Sequence, residues 1–400
     1  MVAALAVVGC STEPECGEYP LTDEQRFCVV NTIDQMVADH YPFAEYKGVD
    51  MEEFRRTLWL AVEMDSTDSD FVANVNAAVR MLRDGHTRIE RRALVEPAVA
   101  PVEVEEVKGG LEIVSVREAE LAWLVGRTIV AVDGEKTADA LREAAMWTEG
   151  GARGEVALSG GPLVLAGEAG TTVEVQLDDG QEVQLSRRSI HELPQVQRFG
   201  DNIGYLRLDT FGFIDDLDRI DAAINEVMDT DALMIDLRDN GGGYPSVSDG
   251  LFGRLIDRDV PGFGLVDVDG FETRKLEATP RGKTYQGEVV VLTNGRTYSA
   301  SNYFAHRMIY HQRGILIGGP TGGGAAAPKR GKMLLPGLWF QVSSHVVRTP
   351  EGDHSESGLK PQIDVNGEED FSHASEAVLG LTIEGDPVIN RALQYLVDQE

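Results

Sequence analysis

Two short stretches carry residue types that could act together on a carbonyl group. In Asp236-Leu-Arg-Asp-Asn240-Gly-Gly-Gly243, three consecutive glycines follow an apolar run. A turn without Cβ atoms brings its backbone close to another group and leaves N–H groups free to hold a developing oxyanion. In Leu292-Thr-Asn-Gly-Arg-Thr-Tyr-Ser299-Ala-Ser301-Asn302, a serine stands where an apolar run gives way to a helix-forming segment. A serine in that place ordinarily caps the helix, and it becomes a nucleophile only when a base takes its proton. Eight histidines are available as bases. His306 and His311 fall five apart on one predicted helix, about 140° around its axis, so they do not share a face for a metal ion. The glycine run lacks the Lys-Ser/Thr that a phosphate-binding loop needs.

The elements around these stretches follow from spacing. Thr22-Asp-Glu-Gln25 has the form of a capping box, and Phe27, Val30, Ile33 and Val37 follow at helical intervals. Phe54-Leu58-Val62 and Phe71-Val75-Val79-Leu82 mark two further amphipathic helices, so residues 17–92 read as a helical N-terminal domain. Residues 93–195 alternate apolar and polar positions in short runs, with a hairpin turn at Asp178-Asp179-Gly180. This is a small β-rich module, and Gly126 to Ala144, strand then turn then helix, resembles the core of a PDZ domain. From 196 to 400 strands and helices alternate: Ile203–Leu208, the helix marked by Leu217, Ile220, Ile224 and Val227, Ala232–Leu237, Glu288–Thr293, the helix after Ser299, and Gly314–Gly318. The predicted class is multi-domain α/β (α+β), its last domain built on a mostly parallel sheet covered by helices. Ligand sites in such sheets lie at the carboxyl ends of strands, where both chemical stretches fall.

The order strand-Asp-Leu-Arg-x-Asn-Gly-Gly-Gly, strand-x-x-x-Ser-Ala-Ser, Gly-Gly-Pro-Thr-x-Gly-Gly and Glu356-Ser-Gly358-Leu-Lys-Pro361 resembles the tail-specific, or C-terminal-processing, serine protease family. The resemblance runs through Gly385-Asp386-Pro387 and the closing helix with Ala392 and Leu393. It implies Ser299 as nucleophile, with an oxyanion hole from the Ala300 N–H and an N–H of Gly241 or Gly242. Where processing proteases have a lysine base in a Gly-Lys-Gly turn, this chain has Gly322-Gly323-Gly324-Ala325, and its nearest lysines, Lys329 and Lys332, come later. Leu82-Arg-Asp84-Gly85-His86-Thr87 resembles instead the Asp-x-His-[Ser/Thr] motif of the branch that includes tricorn protease, with Gly85 where that enzyme has Ser. The resemblance implies His86 as base and Glu356 in support, directly or through a bridging hydroxyl; of the other histidines, His345 and His354 could approach the site, and His354 is the reserve base. The expected function is peptide-bond hydrolysis through an acyl-enzyme, with no cofactor and no metal. A ligand-binding protein that kept the fold and lost the base is the other reading.

The net charge of -31 disfavours nucleic acid and anionic lipid as partners and leaves a protein or peptide substrate. The start, MVAALAVVGC, resembles a bacterial lipobox ending at Cys10, so residues 1–16 read as a leader with Cys10 as lipidation site. That places the chain in the bacterial cell envelope, held to the membrane by lipid alone. In an exported chain the two remaining cysteines, Cys16 and Cys28, are expected to pair.

Overall fold

The computed structural model describes residues 15–64, 67–91, 97–116, 119–145, 164–189, 194–200, 202–212, 216–365 and 386–398. The leader up to residue 14, with Cys10, lies outside them. Among the described residues no helix is long and apolar enough to cross a membrane.

The first helix, Asp23–His40, starts at a complete capping box: Thr22 accepts from the Gln25 N–H, and Gln25 Oε1 accepts from the Thr22 N–H at 2.8 Å. Val30, Ile33 and Val37 are buried as their spacing predicts. Phe27 is instead 53% exposed and tilts against Trp59, ring centroids 5.1 Å apart. The next two helices, Met51–Glu63 and Asp68–Arg80, are capped by Asp50 and Thr67. They bury Phe54, Leu58, Phe71, Val75 and Val79, each contributing about 1.5–3 kcal/mol of transfer free energy. Cys16 and Cys28 are disulfide-bonded, their Cα atoms 5.5 Å apart.

These helices do not close a core among themselves. Their apolar faces share one cluster with Leu334, Leu335, Leu338, Phe340, Val342 and Val346. Those residues lie on Ala326–Leu335 and Leu338–Arg348, in an antiparallel sheet completed by Val260–Asp267, Glu272–Ala278 and Arg88–Arg91. A boundary at residue 92 therefore divides elements that pack together, because periodicity tells which face is buried and not what covers it.

Within 93–195, Val102–Val107, Gly110–Val116, Thr128–Val132, Thr172–Leu177 and Glu182–Ser186 pair antiparallel in that order around their own core of Val104, Leu111, Ile113, Ile129 and Val175. The hairpin turns at Gly180, whose φ of +86° suits a residue without Cβ.

The remaining six-stranded sheet runs Gln195–Phe199, Ile203–Arg207, Ala232–Asp236, Glu288–Thr293, Ile315–Gly318, Ile363–Asp364. Its first pairing is antiparallel and the rest are parallel. The other sheets are antiparallel, so among the described residues the expected parallel character is confined to this one sheet and antiparallel pairing prevails. Asp236, at the end of the second strand of the parallel set, is fully buried and held by Arg238, which also reaches Asp386 at 2.8 Å. Asp386 in turn accepts from the N–H groups of Val388 and Ile389 and so starts the closing helix Pro387–Asp398 against the sheet.

Candidate active site

Ser299 leaves the strand Glu288–Thr293 and precedes the helix Ala300–Tyr310. Its backbone has φ 56° and ψ −121°, a conformation costly for a residue with a Cβ, and its side chain makes no capping hydrogen bond. Two contacts hold it there. The Ser299 N–H donates to Gly323 O at 2.9 Å, and the Tyr298 N–H donates to Asn240 O at 3.0 Å.

His86 stands on the turn before the strand Arg88–Arg91, which pairs with Leu338–Gln341. Thr87 Oγ1 donates to Asp84 Oδ2 at 2.6 Å and accepts from the Ser343 N–H at 3.0 Å, pinning this turn to the antiparallel sheet. The His86 N–H donates to Asp84 Oδ1 at 3.1 Å. The imidazole is thereby carried to Ser299: Nε2 lies 2.8 Å from Oγ, and the ring tilts over Tyr298 with centroids 5.0 Å apart. Burial lowers the His86 pKa to about 4 despite the nearby Asp84 carboxylate, so the ring is neutral at neutral pH. With Nδ1 protonated, Nε2 is the acceptor for the Ser299 hydroxyl proton.

Of the three glycines after Ala232–Asp236, Gly242 lies against Ser299 while Gly243 packs on the Phe211 backbone. Asn240 orders them, its Nδ2 donating to Leu208 O at 2.8 Å and its Oδ1 accepting from the Gly242 N–H at 2.9 Å. Gly242 is thus no longer free to serve as an oxyanion donor, which corrects the expectation that left Gly241 and Gly242 equivalent. Gly242 has a different use: at φ +100°, any Cβ on it would lie 2.7 Å from Ser299 Cβ and 2.8 Å from Ala300 N. Gly241 is exposed and faces open space, and Ala300, in the first turn of its helix, has an N–H with no intrahelical acceptor.

Glu356 is fully buried, and its Oε2 accepts from the Ala325 N–H at 2.8 Å. It does not reach His86. The support expected to pass directly or through a hydroxyl runs instead to Lys47, whose Nζ lies 2.6 Å from Glu356 Oε1 and 3.7 Å from Asp84 Oδ1. Burial and the Asp84 charge raise the Glu356 pKa to about 7, against the opposite pull of Lys47. Burial alone would raise Asp84 too, but Lys47, His86 and the hydrogen bond from Thr87 hold it below the usual carboxylate range. Asn302, the third residue of the nucleophile helix, donates to Ser355 O and Oγ and accepts from Thr321 Oγ1, tethering the Glu356 loop.

Other expected residues stand apart. His354 packs on Tyr46 and accepts from the Glu356 N–H through Nδ1. Lys329 contacts His40, and Lys332 pairs with Glu15. Sequence reasoning missed Lys47 and Tyr298. Lys47 sits in Glu45-Tyr46-Lys47-Gly48, a polar turn with no pattern that marks it.

Residues 202–365 match the family model described as Peptidase family S41. This stretch holds Gly241, Ser299 and Glu356, while Lys47 and His86 precede it. A tail-specific protease of Haemophilus influenzae is 28% identical over 174 residues, 40% of this chain and 24% of that protein, so the match spans about a quarter of the relative's length. Among solved structures, the photosystem II D1 C-terminal processing protease superposes with a TM-score of 0.56 at 19% identity, covering 86% of this chain and 93% of its own. Mature CPAF superposes with a TM-score of 0.61 at 13% identity, covering 94% and 98%. At these identities the likeness is one of fold. Together the matches show a segment similar to Peptidase family S41, within a fold shared with these processing proteases.

Proposed function

We propose that the protein is a serine peptidase that cleaves proteins or peptides through an acyl-enzyme on Ser299, with His86 as its base. The observation that carries this reading is the 2.8 Å approach of His86 Nε2 to Ser299 Oγ, at a serine held out of helical geometry. Ser299 Oγ attacks the scissile carbonyl as its proton passes to His86 Nε2. The carbonyl oxygen becomes an oxyanion held by the N–H groups of Ala300 and Gly241. His86 returns the proton to the departing amine, leaving an ester on Ser299. Water then attacks that ester, again giving its proton to His86, and the acid product leaves with Ser299 restored.

A low imidazole pKa suits this cycle at the start, because the ring is neutral and able to accept. The oxyanion that forms beside it stabilises the imidazolium only in the transition state and intermediate, where the charge is needed. The arrangement resembles the Ser-His-Glu branch more than the Ser-Lys branch, since both downstream lysines are engaged elsewhere. A ligand-holding scaffold without activity is disfavoured by the same serine–imidazole contact.

The β-rich module at 93–195 is proposed to align the substrate as a PDZ-like unit, adding peptide to a sheet edge. Cys10 is proposed as a lipid anchor that keeps the enzyme in the bacterial cell envelope, consistent with a disulfide between Cys16 and Cys28. Labelling with a fluorophosphonate and mapping the modified peptide tests the chemistry. Modification of Ser299 that disappears in Ser299→Ala is expected. Equal labelling of the variant contradicts the assignment.

A further inference from the structure

We propose that Lys47 is a positioning residue of this active site, whose ammonium ties the loop carrying Glu356 to the turn carrying His86 and so keeps the imidazole on Ser299. The inference rests on the hydrolase reading above and deepens it.

Lys47 follows the first helix in the turn Phe43–Gly48, closed by the Lys47 N–H on Phe43 O at 2.9 Å. A lysine in such a turn normally keeps its head in water. Here the side chain is only 4% exposed and crosses the Phe43 ring, Nζ 4.8 Å from its centroid. The ammonium then donates to Arg83 O at 2.9 Å and pairs with two carboxylates, Glu356 Oε1 at 2.6 Å and Asp84 Oδ1 at 3.7 Å. Both carboxylate side chains are fully buried. Two buried carboxylates ionise together only when a cation stands with them, and among the described residues Lys47 contacts both.

Each acceptor leads to one half of the catalytic pair. Through Arg83 O and Asp84, Lys47 holds the turn in which Asp84 Oδ1 accepts from the His86 N–H and Oδ2 from Thr87. Through Glu356 it holds the Ala325 N–H, and with it the glycine turn whose Gly323 O accepts from the Ser299 N–H. The base and the nucleophile come from parts of the chain more than two hundred residues apart. A single ammonium joins their supports. The raised pKa of Glu356 agrees with this picture, since burial and Asp84 push it up to about 7 while Lys47 pulls it down.

The test measures fluorophosphonate labelling of the full chain at Ser299 against pH, with thermal melting by circular dichroism, for wild type, K47M, K47R, E356Q and K47M/E356Q. With the cation gone, Glu356 stays protonated to higher pH and the ion pair that ties the two loops is absent, whereas wild type keeps that pair wherever its Glu356 is ionised. K47M is therefore expected to label at least about tenfold more slowly at pH 8, with the deficit shrinking as pH falls and Glu356 takes its proton. K47R, which keeps the charge, is expected to recover most of the rate. K47M/E356Q is expected to label at nearly the E356Q rate, because the two residues act as one unit.

A folded K47M that labels like wild type overturns the proposal, as does a deficit that is constant with pH and multiplies with that of E356Q. If K47M melts below the assay temperature, K47M/E356Q against E356Q decides: equal rates support the role, and a further tenfold drop overturns it. Failure of the underlying reading looks different, since wild type itself then leaves Ser299 unmodified.

Discussion

The phenol ring of Tyr298 fills the space into which any side chain on Gly324 would project. Gly324 has φ +80° and stands where the processing proteases are expected to carry a lysine base. Tyr298 also lies against His86. The lysine position is therefore closed by the same ring that flanks the imidazole, and the two bases exclude one another in this site.

Replacing Gly324 should accordingly do harm, even with the residue that other branches use. Gly324→Ala combines strain at positive φ with a clash against Tyr298 and is expected to cost about 2 kcal/mol or more in urea unfolding. Gly324→Lys should label Ser299 more slowly than wild type. A faster rate in Gly324→Lys would show that a dyad can be built there.

Gly241 and Gly242 make a paired comparison. A Cβ at 241 enters open space, so Gly241→Ala should leave stability within about 0.5 kcal/mol and slow acylation only by crowding the oxyanion. A Cβ at 242 meets Ser299 and Ala300 at φ +100°, so Gly242→Ala should lose both stability and labelling. Equal melting curves for the two variants would remove the distinction.

The pH dependence follows from burial of His86. Its pKa falls from 6.5 to about 4, so the neutral base persists well below pH 6, and the acid limb of Ser299 labelling should lie nearer 4 than 6.5. The unfolded chain takes up this proton first. The stability that His86 contributes is therefore complete above pH 6.5 and is lost as pH falls from 6.5 toward 4. In His86→Gln the corresponding slope of unfolding free energy against pH should flatten over that window. An acid limb at 6.5 in the wild type contradicts the burial argument.

Much of this was legible in the sequence where local rules decide. The capping box at Thr22 and Gln25, the buried series Phe71-Val75-Val79-Leu82 and the hairpin at Gly180 depend on near neighbours, and each appears as expected. Ser299 and the glycine run fall at strand ends because alternating strands and helices leave no other place for them. What was illegible is what distant segments do to one another. Nothing in Glu45-Tyr46-Lys47-Gly48 indicates that its lysine is buried between two carboxylates, one of them in a loop near the far end of the chain. Phe27 kept helical spacing yet faces outward, since periodicity marks a stripe without fixing its width. The sharing of Gly242 by Asn240 required coordinates, because Asn240 has several backbone groups within reach in such a turn.

The most direct measurement is the second-order rate of fluorophosphonate labelling at neutral pH for wild type and His86→Ala, each confirmed as folded by its melting curve. Removal of a base in contact with the nucleophile should slow labelling by about 10²–10⁴-fold while the melt persists. A folded His86→Ala that labels Ser299 at the wild-type rate would contradict the account, whatever the other variants show.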